Sequence, residues 1–113
     1  MAVIKFSHNW NNKLDNDVFS TIRRHTSEKQ QYYNSLVGAT CNVLLEGMYH
    51  CNATLLRVTA YNYSDVDRHI LALDTGIYDV AEQDALFSQF GCKDRVLVLL
   101  FKKGEKQNDR NKE

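Results

Sequence analysis

The most constraining feature of the chain is an unbroken apolar run at residues 96–101, Val-Leu-Val-Leu-Leu-Phe. The run is too short for a typical helix and consists of residues that favour β-structure. A strand that is apolar on both of its faces is expected in the interior of a sheet, with other elements covering it from both sides. The rest of the chain must therefore supply neighbouring strands and at least one covering layer.

The middle of the chain supplies the clearest neighbouring strands. Residues 41–45 have the alternating side-chain pattern of a strand, with Val43 at its centre. Glu46-Gly47 then provides a turn into a longer predicted strand at residues 49–61. In strict alternation, Leu56, Val58 and Ala60 would share one face of that strand, opposite Leu55, Arg57, Thr59 and Tyr61. Two such runs joined by a short glycine-containing link predict an antiparallel hairpin. Shorter strands are predicted at 2–6 and 19–23.

Two helices are predicted between the hairpin and the apolar run. Ser64 is the predicted N-cap of the first helix, whose apolar stripe would be Val66, Ile70 and Leu73, and Gly76 would end it. The second helix is predicted to start at Asp79 and end at Gly91. The face of this helix is predicted to comprise Gln83, Leu86, Phe87 and Phe90. The polar stretches 7–17 and 25–34 are interpreted as loops, the first with one helical turn that anchors Trp10 and Leu14.

Length and composition indicate one ordinary globular domain. The chain has 113 residues, of which 43% are hydrophobic and 25% charged. The predicted class is α+β, a small sheet or barrel with two or three short helices packed on it. The domain would span residues 1–102, and the polar segment 103–113 is expected to be a disordered tail.

The charge balance limits the range of partners. Lysine plus arginine and aspartate plus glutamate both total 14, so the formal net charge is zero. This argues against broad, non-specific binding of nucleic acid, although one local basic patch remains compatible with it. The start of the chain lacks a signal-peptide pattern, and no apolar run approaches the roughly 18 residues of a membrane span. We therefore expect a cytoplasmic protein with three free cysteines.

The segment Phe19-Ser20-Thr21-Ile22-Arg23 resembles the signature of the ASCH family of the PUA-like superfamily. The family pattern is similar to Gly-x-Lys-x-x-Thr-x-Arg, and Thr21 and Arg23 occupy its last two fixed positions. Its glycine falls on Asn16 and its lysine on Val18. The order of strands, hairpin, helices and closing strand extends the resemblance over residues 2–102. The resemblance implies a PUA-like small β-barrel or sheet.

The resemblance also implies a function, which is binding of RNA or of a modified nucleoside. The ligand cleft would lie between the loop that carries Trp10 and Lys13 and the strand that carries Thr21, Arg23 and Arg24. Arginine can hold a phosphate with two hydrogen bonds, and threonine can contact a phosphate or a base. Trp10 would stack on a base. The four tyrosines Tyr32, Tyr33, Tyr61 and Tyr63 are assigned to packing.

An enzyme of the same family is the first alternative function. The resembling N4-acetylcytidine amidohydrolases use the motif lysine together with a threonine and a glutamate. Val18 cannot transfer a proton, so the sequence does not predict catalysis. In the enzyme alternative Lys13 would replace the missing lysine beside Thr21, with Glu82 or Asp74 as the acid–base partner. Amide hydrolysis on a nucleoside and cleavage of RNA are the reactions considered.

The second alternative is a module that binds or inhibits another protein, encoded by a bacteriophage. It depends on the short, neutral, asparagine- and tyrosine-rich character of the chain. Asp74-Thr75-Gly76 matches the triplet of aspartic proteases, but we interpret it as a helix end followed by a turn. No cysteine or histidine pair has metal-site spacing, so neither a metal nor another cofactor is predicted.

Overall fold

The computed structural model describes residues 2–104 and contains one curled five-stranded sheet. The strands are β1 (Val3–Phe6), β2 (Val18–Arg24), β3 (Thr40–Leu45), β4 (Met48–Asn62) and β5 (Arg95–Lys103). They lie in the order β1-β3-β4-β5-β2, with β1 parallel to β3 and every other pair antiparallel. The sheet forms a half-barrel whose two open edges are β1 and β2.

Three α-helices accompany the sheet, which confirms the predicted α+β class. They are α1 (Ser27–Ser35), α2 (Arg68–Thr75) and α3 (Val80–Gln89). Short 3-10 segments occupy Trp10–Asp15 and Tyr63–Asp65. Within residues 2–104, no helix has the length and apolar character needed to cross a membrane.

The predicted interior strand is confirmed, because β5 lies between β4 and β2 and buries Val96, Leu97, Leu99 and Phe101 completely. Phe101 stacks on Phe19, with 5.3 Å between the ring centroids. One core cluster fills the concave side of the sheet, and a second packs beneath α2 and α3. The predicted hairpin is also confirmed, because β3 and β4 pair as antiparallel neighbours.

The predicted alternation along the long strand is wrong at one point. The register between β4 and β5 shifts between Leu55 and Arg57, so a β-bulge adds one residue there. Leu55 is fully buried and Leu56 is 43% exposed, whereas Val58 packs against the core. The extra residue shifts the alternation by one position, so every later side chain of β4 points to the face opposite to the one predicted from Leu55. Leu55 and Val58 therefore share the inner face, and Leu56 does not.

The first predicted helix begins later than the sequence suggested. Asp67 is the N-cap of α2, because its side chain accepts from the His69 N–H, and Ser64 lies in a preceding 3-10 turn. The predicted stripe is wrong as well: Ile70 and Leu73 are exposed, and the helix buries other residues. The buried residues of α2 are Leu71, Ala72, Asp74 and Thr75.

The interpretation of residues 25–34 as a loop is also wrong, because α1 occupies most of that stretch. This helix buries none of its residues, so no apolar stripe marks it in the sequence. Its N-cap is Thr26, which accepts from the Lys29 N–H.

The remaining boundaries agree more closely with the sequence. Asp79 caps α3 through the Glu82 N–H, and Gly76 and Gly91 take the left-handed conformation after α2 and α3. The segment 74–76 is a helix end followed by a turn, as interpreted. Lys103 belongs to β5 and not to a tail. Residues 105–113, which the sequence assigns to a disordered tail, lie outside the described residues.

Candidate functional site

A cleft of about 350 Å³ opens where the two edge strands of the half-barrel approach each other. The end of β1 with residues 5–8 forms one wall, and residues 21–24 of β2 form the facing wall. The C-terminal half of α3 and the segment Trp10–Asp15 complete the cleft. The volume is at the lower end of the range of small-molecule sites.

Arg23 bridges the gap between the two edge strands. Its Nη2 donates to the backbone carbonyl of Lys5 at 2.9 Å, and its Nε donates to Thr21 Oγ1 at 3.3 Å. The guanidinium carbon lies 4.8 Å from the centroid of the Phe6 ring, a cation–π distance. Burial lowers the pKa of Arg23, but a guanidinium remains charged in proteins. Arg23 therefore stabilises the contact between the two edge strands and also lines the cleft.

The most buried charged groups that line the cleft, Lys13 and Asp74, form an ion pair, and we call this buried part of the cleft its closed end. Lys13 Nζ donates to Asp74 Oδ1 at 2.5 Å, and each side chain is only 6% exposed. Burial lowers the pKa of Lys13 and raises that of Asp74, and the opposite charge of the partner opposes the shift in each case. The pair also ties the Trp10–Asp15 segment to α2, assisted by a hydrogen bond from Asn11 Nδ2 to the Leu73 carbonyl.

The second oxygen of Asp74 is not used by another side chain or by the backbone. Asp74 lines the cleft, and within the described residues no hydrogen bond uses its Oδ2. Every fully enclosed side-chain nitrogen or oxygen of residues 2–104 has a hydrogen-bond partner, so Oδ2 is not fully enclosed. Lys13 has three N–H donors and one protein acceptor, and the Thr21 hydroxyl accepts from Arg23. The closed end thus offers an acceptor and several donors to a ligand.

Positive charge is concentrated along the cleft. Five of the eleven lysine and arginine residues in the described chain line it, against one of the eleven aspartate and glutamate residues. The five are Lys5, Lys13, Arg23, Arg24 and Lys29. The single acid, Asp74, is engaged with Lys13. Within residues 2–104, no carboxylate forms an ion pair with any of the other four.

Aromatic rings line the mouth of the cleft. Trp10 is half-buried and meets the His8 ring edge to face, at 5.2 Å between centroids. Phe90 at the end of α3 is 50% exposed, and Phe87 beside it is buried. A planar ligand would therefore meet rings at the mouth and polar groups at the closed end.

The structure brings together all five ligand-binding residues chosen from the sequence: Trp10, Lys13, Thr21, Arg23 and Arg24 line the cleft. Asp74 joins them, but Glu82 does not, because it lies exposed in the first turn of α3. Val18 is exposed at the start of β2, paired with Lys102, and lies away from the cleft.

Several cleft residues had no signal in the sequence. Lys5 and His8 line the cleft because the sheet curls β1 towards β2, and Lys29 lines it from α1, which follows β2 directly. Sequence distance gives no sign of that approach. Cys92, a buried free thiol, also lines it.

Metal chemistry finds no support among residues 2–104, where no three histidine, cysteine or acidic side chains lie close enough to hold an ion. A second depression of about 270 Å³ lies on the convex face of the sheet, between Arg57, Tyr61 and Ile70.

No family model matches the chain, and no curated protein or solved structure matches it either.

Proposed function

We propose that this protein is a PUA-like, ASCH-type domain whose cleft binds RNA or a modified nucleoside. The observation that carries the proposal is the concentration of cationic side chains and rings at one cleft of a chain with zero net charge. Thr21 and Arg23, the two residues that match the ASCH motif, lie on the wall of this cleft. The curled sheet with short helices is compatible with the PUA-like assignment.

The chemistry of the cleft suits a nucleotide unit. Proteins that bind single-stranded RNA stack bases on aromatic rings and neutralise phosphates with nearby cations. Trp10 and Phe90 offer rings at the mouth, and Arg24 offers a guanidinium. Asp74 and Lys13 offer an acceptor and donors to the polar edge of a base at the closed end.

Trp10 is the sole tryptophan of the chain, so its fluorescence reports directly on the cleft. The experiment is a titration with short single-stranded and double-stranded RNA and DNA at several salt concentrations. We expect RNA to change the fluorescence, and Arg23→Ala to weaken binding and reduce the salt slope by about one. Arg57→Ala, which removes an arginine from the convex face, should leave both unchanged.

Because Arg23 also bridges the edge strands, the unfolding midpoint of Arg23→Ala must be measured in parallel. Arg24→Ala provides a second test, since no hydrogen bond or ion pair of the described chain uses the Arg24 guanidinium. Binding that stays unchanged in both folded variants would refute the assignment.

Hydrolysis is the second candidate function, favoured by the buried Lys13–Asp74 pair in the same cleft as Thr21. A general base must be neutral when it takes a proton, and burial moves the pKa of Lys13 in that direction. Asp74, not Glu82, would be the acid–base partner. Incubation with N4-acetylcytidine tests this: turnover should be lost in Lys13→Ala, and turnover that survives this substitution would refute the role.

A further inference from the structure

The basic residues of the cleft are not equivalent. Arg23 donates hydrogen bonds from Nε to Thr21 and from Nη2 to the backbone of β1. Lys13 donates a hydrogen bond to Asp74. Neither side chain is therefore free to give its full charge to a ligand. The uncommitted cations of the cleft are Lys5, Arg24 and Lys29, for which the described residues supply no ion-pair partner.

Two of these cations converge at the end of the cleft that contains Cys92. Arg24 extends along the turn after α3, where a Cβ atom on Gly91 would lie 3.0 Å from Arg24 Cδ. Lys29 reaches the same cleft from the first turn of α1. Burial raises the pKa of the Cys92 thiol; the positive charges of Lys29, Arg24 and Arg23 oppose that rise, and the negative charge of Asp74 adds to it.

Asp74, the one carboxylate that lines the cleft, is already paired with Lys13, so the charges of Arg23, Arg24 and Lys29 are left to attract a further anion. A phosphate group has the charge and the oxygen acceptors to satisfy a guanidinium and an ammonium together. The rings and polar groups that suit a base lie along the same cleft, at Trp10 and at Asp74. The lining of one cleft thus combines groups that suit a phosphate with groups that suit a base.

We propose that Arg24 and Lys29, with the outer side of the Arg23 guanidinium, form a phosphate-binding subsite at the Cys92 end of the cleft. The ligand is accordingly a phosphorylated nucleoside unit, and an unphosphorylated nucleoside is a poor substitute for it. The inference rests on the proposed function, since it specifies which part of a nucleotide the cleft selects. It adds Lys29 to the residues with a binding role.

The experiment compares each nucleoside with its 5′-monophosphate by calorimetry and Trp10 fluorescence, using uridine with uridine monophosphate and adenosine with adenosine monophosphate. Charge-assisted hydrogen bonds to phosphate should make the monophosphate bind at least about tenfold more tightly at low salt. The double variant Arg24→Gln/Lys29→Gln should reduce that preference to about twofold. Inorganic phosphate should compete with the monophosphate on the wild-type protein and not on this variant.

The matched control is Arg57→Gln/Lys102→Gln, which removes the same charge from exposed positions that do not line the cleft. It should retain the full preference, and unfolding midpoints of both variants verify that they are folded. Equal binding of nucleosides and monophosphates would overturn the phosphate subsite and leave the proposed function standing. A preference that persists in the cleft variant would overturn the assignment to Arg24 and Lys29. Absence of binding by nucleosides, monophosphates and RNA alike would overturn the proposed function as well.

Discussion

Replacing Asp74 by asparagine removes one charge from the buried pair while keeping the shape of the side chain. The Lys13 ammonium would then remain in a site where its side chain is 6% exposed, without a counter-charge. Breaking a buried ion pair by removing one partner costs about 3–5 kcal/mol. A small domain has a free energy of unfolding of about 5–15 kcal/mol, so Asp74→Asn should remove a large part of it.

The pH dependence of this variant has a definite sign. Burial alone lowers the folded-state pKa of Lys13 below its unfolded value of 10.5, and Asp74→Asn removes the charge that opposes the shift. Below the folded pKa the penalty is complete, and it disappears as the pH rises towards 10.5 because the unfolded chain then loses the same proton. The destabilisation by Asp74→Asn should therefore be largest at neutral pH and should decrease as the pH approaches 10.5.

Urea denaturation followed by circular dichroism measures these free energies. Asp84→Asn is the matched control, because the Arg68–Asp84 pair at 2.7 Å is about half exposed and should contribute less than about 1 kcal/mol. The double variant Lys13→Met/Asp74→Leu should return close to wild-type stability, since apolar side chains can replace a buried ion pair without loss. A loss below about 1 kcal/mol for Asp74→Asn, or a double variant no more stable than the single one, would refute the reasoning.

Three further effects on stability can be measured in the same way. Burial raises the pKa of Tyr63 to about 12, from an ordinary 10, so the free energy of unfolding should fall by about 2–3 kcal/mol between pH 10 and 12. Tyr63→Phe should flatten that fall, and an equally steep fall in the variant would contradict the assignment. Gly76→Ala should cost about 1 kcal/mol or more, because Gly76 has a φ of 78° and an added Cβ would lie 3.2 Å from Asn11 Oδ1; unchanged unfolding would show that this strain is absent. Thr26→Ala should cost about 1 kcal/mol by removing the cap of α1, seen as a lower unfolding midpoint, whereas Thr26→Ser should retain most of it.

Local sequence patterns predicted the elements whose structure depends mainly on their own residues. The run at 96–101 predicts an interior strand, and β5 is one. The predicted cover on both faces is only partial, because Val98 and Leu100 are half-buried and line the second depression. The α3 cap was predictable because Asp79 satisfies a backbone N–H three residues later, a purely local interaction. The long strand was predictable in extent but not in phase, because the bulge at Leu56 depends on pairing with β5, which follows much later in the chain.

Helices without an ordinary apolar stripe were the main failure. No residue of α1 is buried, so nothing in its hydrophobic pattern distinguishes it from a loop. In α2 the apolar Ile70 and Leu73 are exposed, and the acidic Asp74 is buried. Burial of Asp74 depends on Lys13, sixty-one residues earlier, and no pattern within the helix could reveal that partner.

The candidate site was predictable where one segment carried it. Thr21 and Arg23 are two residues apart on one strand, so their shared face follows from that strand alone. Arg24 points to the other face by the same alternation, and it lines the cleft beside Gly91. The pairing of Lys13 with Asp74 arises from packing between distant segments, and the place of Lys29 at the cleft depends on α1, a helix that the sequence did not reveal. A sequence pattern does not contain that geometry.

The most direct test of the account is a map of backbone amide and indole chemical shifts during titration with uridine monophosphate and adenosine monophosphate. The account predicts that the largest changes fall on residues 5–8, residues 21–24 and the Trp10 indole, and that they saturate together. Changes centred on the convex face around Thr59 and Ile70, or no changes with either nucleotide or with short RNA, would contradict the claim that this cleft is the ligand site.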